Sequence, residues 1–142
     1  MTNDPYRLQR FLDAQDADGT YDHALSELRA GSKRSHWMWF VFPQIAGLGH
    51  SPTAVTYAIS SLDEARAYLA HPVLGPRLRE SSQALLDLEG SSATEILGGV
   101  DAIKLRSSMT LFAHAAPEEP LFGLLLERYF EGAMDEATQQ LL

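Results

Sequence analysis

Apolar residues recur at helical spacing through most of this chain and seldom alternate, so the pattern predicts a series of helices and little sheet. Leu8, Phe11, Leu12 and Gln15 share one face behind Asp4-Pro5, a cap followed by proline at the first helical position, which predicts a helix over 5–16. Asp16 to Gly19 reads as a turn. Thr20 stands where a second helix needs a cap; Tyr21, Ala24, Leu25 and Leu28 form its apolar stripe, and Gly31 sits where a left-handed terminator belongs. The bulky run 36–42, His-Trp-Met-Trp-Phe-Val-Phe, is too short for periodicity to separate a strand from a buried helix, and Pro43 ends either.

Beyond a glycine-containing loop at 44–49, Ser51-Pro52 repeats the cap-and-proline start for a helix through Ala58. Ser61 with Glu64 has the form of a capping box for the next, which ends at His71-Pro72, where the histidine suits the negative end of the helix dipole. Leu74, Leu78, Leu85 and Leu88 are the inner residues of a helix over 73–88. Ser92 and Glu95 make a further box before a short helix stopped by Gly98-Gly99, and Asp101 is placed to cap 102–115, with Ala102, Leu105, Met109, Phe112 and Ala116 on one face. Pro117 and Pro120 then break the chain before amphipathic helices over 121–131 and 135–142. The fold class this predicts is all-α: one domain over 1–142, a compact bundle of about seven to nine short helices with room for one short extended pair.

Composition narrows the class of protein. At 142 residues, 45% apolar and 21% charged, the chain is sized and balanced for one buried core. Its net charge of -8 repels a phosphate backbone, so nucleic acid is not an expected partner. With no cysteine, disulfides and thiolate chemistry are excluded. No apolar run approaches the ~20 residues a membrane span needs. Met1 to Tyr6 carries neither a basic leader nor an apolar signal core, and the expected location is the cytoplasm.

Candidate chemistry concentrates in two places. The segment from Lys33 to Gln44 holds both tryptophans, Trp37 and Trp39, beside Lys33, Arg34, His36 and Gln44. An aromatic wall with a few polar tips describes a small-molecule pocket, although tryptophans at such density serve equally as core anchors. Along the 102–115 helix, Asp101, Lys104, Ser107 and Ser108 form a polar row beside the apolar stripe. If the two places meet, His36 is the candidate acid or base, Asp101 its complement, and Lys33 and Lys104 a clamp on an anionic group; Ser107 and Ser108 are candidate donors to it. Asp101 as a simple cap with back-bonded serines is the competing reading. Ser51, at a helix start with outward amides, is a weaker candidate anion contact. No histidine, cysteine or acidic spacing asks for a metal, and no motif asks for a cofactor.

Several longer stretches are distinctive: Asp4-Pro5-Tyr6 through Phe11 and Ala14-Gln15, Ser35 to Gln44, Gly47-Leu48-Gly49, His71-Pro72-Val73-Leu74-Gly75, and Lys104 to Phe112. Together they resemble an uncharacterised bacterial family of unknown function, sometimes labelled calpastatin in genomes, whose fold is that of a small mycobacterial helical protein. The resemblance covers nearly the whole chain and implies a compact all-α domain with no catalytic assignment. The calpastatin label lacks physical support, since an inhibitor of that name is expected to be disordered and repetitive.

Two functions are compatible with these residues. The first is a pocket that binds or transforms a small anionic or nucleotide-like metabolite, hydrolysis of an ADP-ribose-like compound being one reaction that fits the roles. The second is a non-catalytic module whose aromatic groove receives an unknown protein partner.

Overall fold

The apolar stripes become helix faces in the computed structural model, which describes residues 4–142; Met1 to Asn3, half of the segment read for a leader, lie outside the described residues. In chain order the helices are α1 (Gln9–Asp16), α2 (Thr20–Ala30), α3 (Met38–Val41), α4 (Pro52–Thr56), α5 (Leu62–Ala70), α6 (Leu74–Asp87), α7 (Ala93–Leu97), α8 (Gly99–Ala115), α9 (Leu121–Phe130) and α10 (Glu136–Gln140), with a 3-10 turn at Ala17–Gly19. The fold is all-α. The single extended pairing among the described residues is a parallel bridge between Ile45 and Ile59, in which Ala46 N–H donates to Ile59 O and Ile59 N–H to Gln44 O, both at 2.8 Å.

The longest helix, α8, runs through the middle and packs against α5, α7, α9 and α10. Its expected inner face is buried, and so are Ser107, Ser108 and Thr110, because a central helix has neighbours on more than one side. Phe11, Phe42, Tyr68, Phe112 and Phe122 are fully enclosed, and Tyr68 meets Phe11 edge-on with ring centroids 5.1 Å apart. Arg10 ties α1 to the end of α4, the segment after it and α5: its guanidinium donates to Thr56 O, Ala58 O and the Glu64 carboxylate, each within 2.9 Å. That clamp and the Ile45–Ile59 bridge hold the 44–49 loop against the body of the molecule.

Helix boundaries differ from the sequence reading where a side chain finds a partner other than the expected one. The first helix begins at Gln9, not Pro5, since Arg7 has a left-handed φ of 53°. Asp4 still caps it across an extra turn, accepting from Leu8 N–H at 2.8 Å and Gln9 N–H at 3.0 Å. Thr20 is the first residue of α2 and turns its hydroxyl to Ala17 O, while Gly19 occupies the cap position. The 36–42 run resolves into one helical turn, α3. Ser61 caps α5, but Glu64 reaches Ser60 and Arg10, so only half of that box forms. His71 serves the following helix: its Nδ1 accepts from Val73 and Leu74 N–H, at the start of α6. Helix α8 starts at Gly99, two residues before Asp101, leaving that carboxylate free for other work.

Candidate functional site

The last turn of α2 fixes the entry to the site. Glu27 accepts four hydrogen bonds, from Arg34 N–H (2.7 Å), Ser35 N–H (3.0 Å), the Ser35 hydroxyl (2.6 Å) and Trp37 Nε1 (3.0 Å). Partial burial pushes this carboxyl up, but the donors around it outweigh that and hold it at about 2. The 33–37 segment is therefore stapled to α2. Trp37 is enclosed as a core anchor, whereas Trp39, two residues on, is half-buried and faces a cavity.

Two lysines and one aspartate join this segment to α8. Asp101 receives Lys33 Nζ on one carboxylate oxygen at 2.9 Å and Lys104 Nζ on the other at 3.1 Å. Each ammonium also sits over an indole, Lys33 5.0 Å from the Trp37 ring centroid and Lys104 3.8 Å from that of Trp39. Burial raises the Asp101 carboxyl, but hydrogen bonds from both lysines hold it below the ordinary carboxylate value. Asp101 is thus a fixed anion that aligns two cations and a poor proton acceptor at neutral pH.

Between this cluster and the 44–49 loop lies a cavity of about 320 Å³, whose polar lining includes Gln44, Lys104, Ser107 and Asp135 and whose apolar walls include Trp39 and Leu48. Ser107 donates to Ile103 O and to Asp135 Oδ2, both at 3.2 Å. The same Asp135 oxygen caps α10, accepting from Thr138 N–H at 3.0 Å and the Thr138 hydroxyl at 2.6 Å. Gly49 lets the loop close on α4, since a Cβ there would lie 2.7 Å from that of Ala54.

The tryptophan-bearing segment and the polar row of α8 converge. Trp39, Gln44, Lys104 and Ser107 line the cavity, and Lys33 and Asp101 stand next to Lys104. His36 is exposed and is not among the lining residues. Ser51 caps α4 through Ala54 N–H at 3.1 Å and also lies off the cavity. Ser108 points into the core. Among the described residues no three histidine or acidic side chains are grouped to hold a metal ion, and no helix is long and apolar enough to cross a membrane.

Sequence reasoning missed Glu27, Leu48, Val100, Ile103 and Asp135. Glu27 left a signal: an acidic residue in the last turn of a helix opposes the dipole and needs another partner. Val100 and Ile103 left one too, as bulky apolar residues flanking the polar row; they line the cavity and are 69% and 64% exposed. Asp135 was visible only as the first residue of the last predicted helix.

The family model described as "Protein of unknown function (DUF1810)" matches residues 5–142. The chain is similar to the conserved hypothetical protein Rv1873 from Mycobacterium tuberculosis, whose crystal structure superposes with a TM-score of 0.95 at 52% sequence identity over 98% of each chain. No curated protein matches the chain.

Proposed function

We propose, from the premise that this chain belongs to the DUF1810 family of proteins of unknown function, that its cavity binds a small metabolite with an apolar or flat body and one acidic group. The observation that carries this reading is the convergence of Trp39, Gln44, Lys104 and Ser107 on one hollow of about 320 Å³. That size lies at the lower end for ligand pockets and suits a small metabolite. Lys104 gives one N–H to Asp101 and turns its charge over the Trp39 ring, so an acidic group entering beside it meets an ammonium already held in place. Gln44, half-buried and with no side-chain hydrogen bond to any of the described residues, supplies both a donor and an acceptor.

Binding is favoured over turnover. Of the three residues expected to carry catalysis, Lys104 alone lines the cavity. Asp101 is committed to two lysines and His36 is exposed. The test is a screen of acidic metabolites by thermal shift, followed by titration of the tryptophan fluorescence. A true ligand quenches Trp39, and Lys104→Ala weakens it roughly ten- to hundredfold, the worth of one hydrogen bond to a charged group. If no compound raises the melting temperature, or if Lys104→Ala binds like the parent, the reading fails.

A second reading rests on one observation: Val100 and Ile103 stand exposed at the same cavity. They give a protein segment apolar purchase, which is the non-catalytic module. Val100→Ser with Ile103→Ser abolishes binding on that reading and leaves a metabolite bound at Lys104 largely in place.

A further inference from the structure

Asp135 lines the same cavity as Lys104, yet an acidic group drawn to the ammonium is repelled by the carboxylate. The fold takes up only half of that carboxylate. Its Oδ2 accepts from the Ser107 hydroxyl at 3.2 Å, Thr138 N–H at 3.0 Å and the Thr138 hydroxyl at 2.6 Å, and is thereby turned towards α8 and the first turn of α10. Oδ1 accepts no hydrogen bond from the described residues and is not enclosed, since the buried side-chain oxygens left unpartnered among those residues belong to Ser108 and Glu119 alone. The half-buried Asp135 therefore keeps one accessible acceptor.

The charges around this hollow cancel, Lys33 and Lys104 against Asp101 and Asp135. A ligand that is anionic throughout gains at Lys104 and loses at Asp135. The conflict disappears when the ligand carries, apart from its acidic group, a hydroxyl or N–H donor, because Oδ1 then accepts a charge-assisted hydrogen bond. The apolar lining from Trp39, Leu48, Val100, Ile103 and Ala137, around a volume of about 320 Å³, suits a body of one ring. Resting on the reading that an acidic metabolite binds at Lys104, we propose that Asp135 is the specificity-determining residue of this cavity, and that its ligand is a ring acid bearing a hydroxyl or N–H donor received by Oδ1.

The test compares matched ring acids by NMR titration of the full-length, isotope-labelled chain: the hydroxy and amino isomers of benzoate against the methoxy isomers, which keep the bulk but lack the donor. At least one hydroxy or amino isomer is expected to shift the Trp39 indole signal and the Ser107 and Asp135 amides. It is expected to bind about tenfold or more tighter than its methoxy counterpart, the worth of a hydrogen bond to a charged group. Asp135→Asn keeps a carbonyl oxygen to cap α10 and sets an NH2 group where Oδ1 stood, so the ratio between the pair is expected to fall to about one. A purely structural role for Asp135 would weaken both compounds alike and leave the ratio unchanged. Equal affinity for the two members of every pair in the parent protein, or a ratio that survives in Asp135→Asn, would overturn the proposal, while binding lost in Lys104→Ala would still uphold the acidic-ligand reading. Should none of these acids shift those signals at millimolar concentration, the proposal falls, and the acidic-ligand reading stands or falls by its own thermal-shift screen.

Discussion

Ser108 is fully enclosed on α8, and its hydroxyl has no hydrogen-bond partner among the described residues. Helical serines usually return their hydroxyl to the carbonyl four residues back, as Ser107 does to Ile103. An enclosed hydroxyl without a partner costs free energy that a methyl group does not, so Ser108→Ala is expected to stabilise the protein by about 1 kcal/mol in chemical denaturation. Glu27 is the opposite case, a carboxylate with four donors. Its folded value of about 2 lies below the ordinary 4.5, so the stability it contributes is complete above about pH 4.5 and is lost as the pH falls towards 2. The Trp37 emission is expected to report that loss as the 33–37 segment detaches. In Glu27→Gln the acid-dependent part of the stability in this window shrinks; an unchanged acid limb would remove Glu27 from the account.

At the scale of the helices, the close approach of α6 to the end of α5 rests on Gly75. A Cβ at that position would stand 2.1 Å from Leu69 O and 2.9 Å from Arg79 Nη1, both of which take part in the capping of α5. Gly75→Ala is therefore expected to lower the urea midpoint by the equivalent of about 3 kcal/mol without altering the slope. This contact was invisible in the sequence, where Gly75 was only part of a longer motif. The helices themselves were legible from stripes such as Tyr21, Ala24, Leu25 and Leu28, because periodicity reports which residues face a core. Their starts were less so. Asp4 and Asp101 both have the residue type of a cap, but one acts across a left-handed Arg7 and the other holds two lysines, choices made by neighbours distant in sequence.

Across the whole molecule a single apolar core draws residues from α1, α2, α3, α5, α6, α7, α8 and α9. Nothing in that core divides the chain, so far-UV circular dichroism and tryptophan fluorescence are expected to follow one coincident unfolding transition, and two separated midpoints would contradict it. The site was half legible for a related reason. Residue chemistry drew attention to Trp39, Gln44, Lys104 and Ser107, but their meeting depends on how the 44–49 loop is held by the Ile45–Ile59 bridge, which no local pattern encodes. The same pattern suggested His36, which stands three residues before the cavity-lining Trp39 but is itself exposed and off the cavity.

The carboxylate of Asp101, shared between Lys33 and Lys104, is a built-in tenant for one of their two positive charges and leaves the other open to an outside anion. With Asp101→Asn the tenancy falls vacant: two ammonium groups would then confront each other across a neutral amide, and each would seek a counterion from the buffer. Such a variant should melt early in dilute chloride and recover steeply as sulfate is added, by mass action, while the parent protein gains only the shallow benefit that sulfate gives any folded chain.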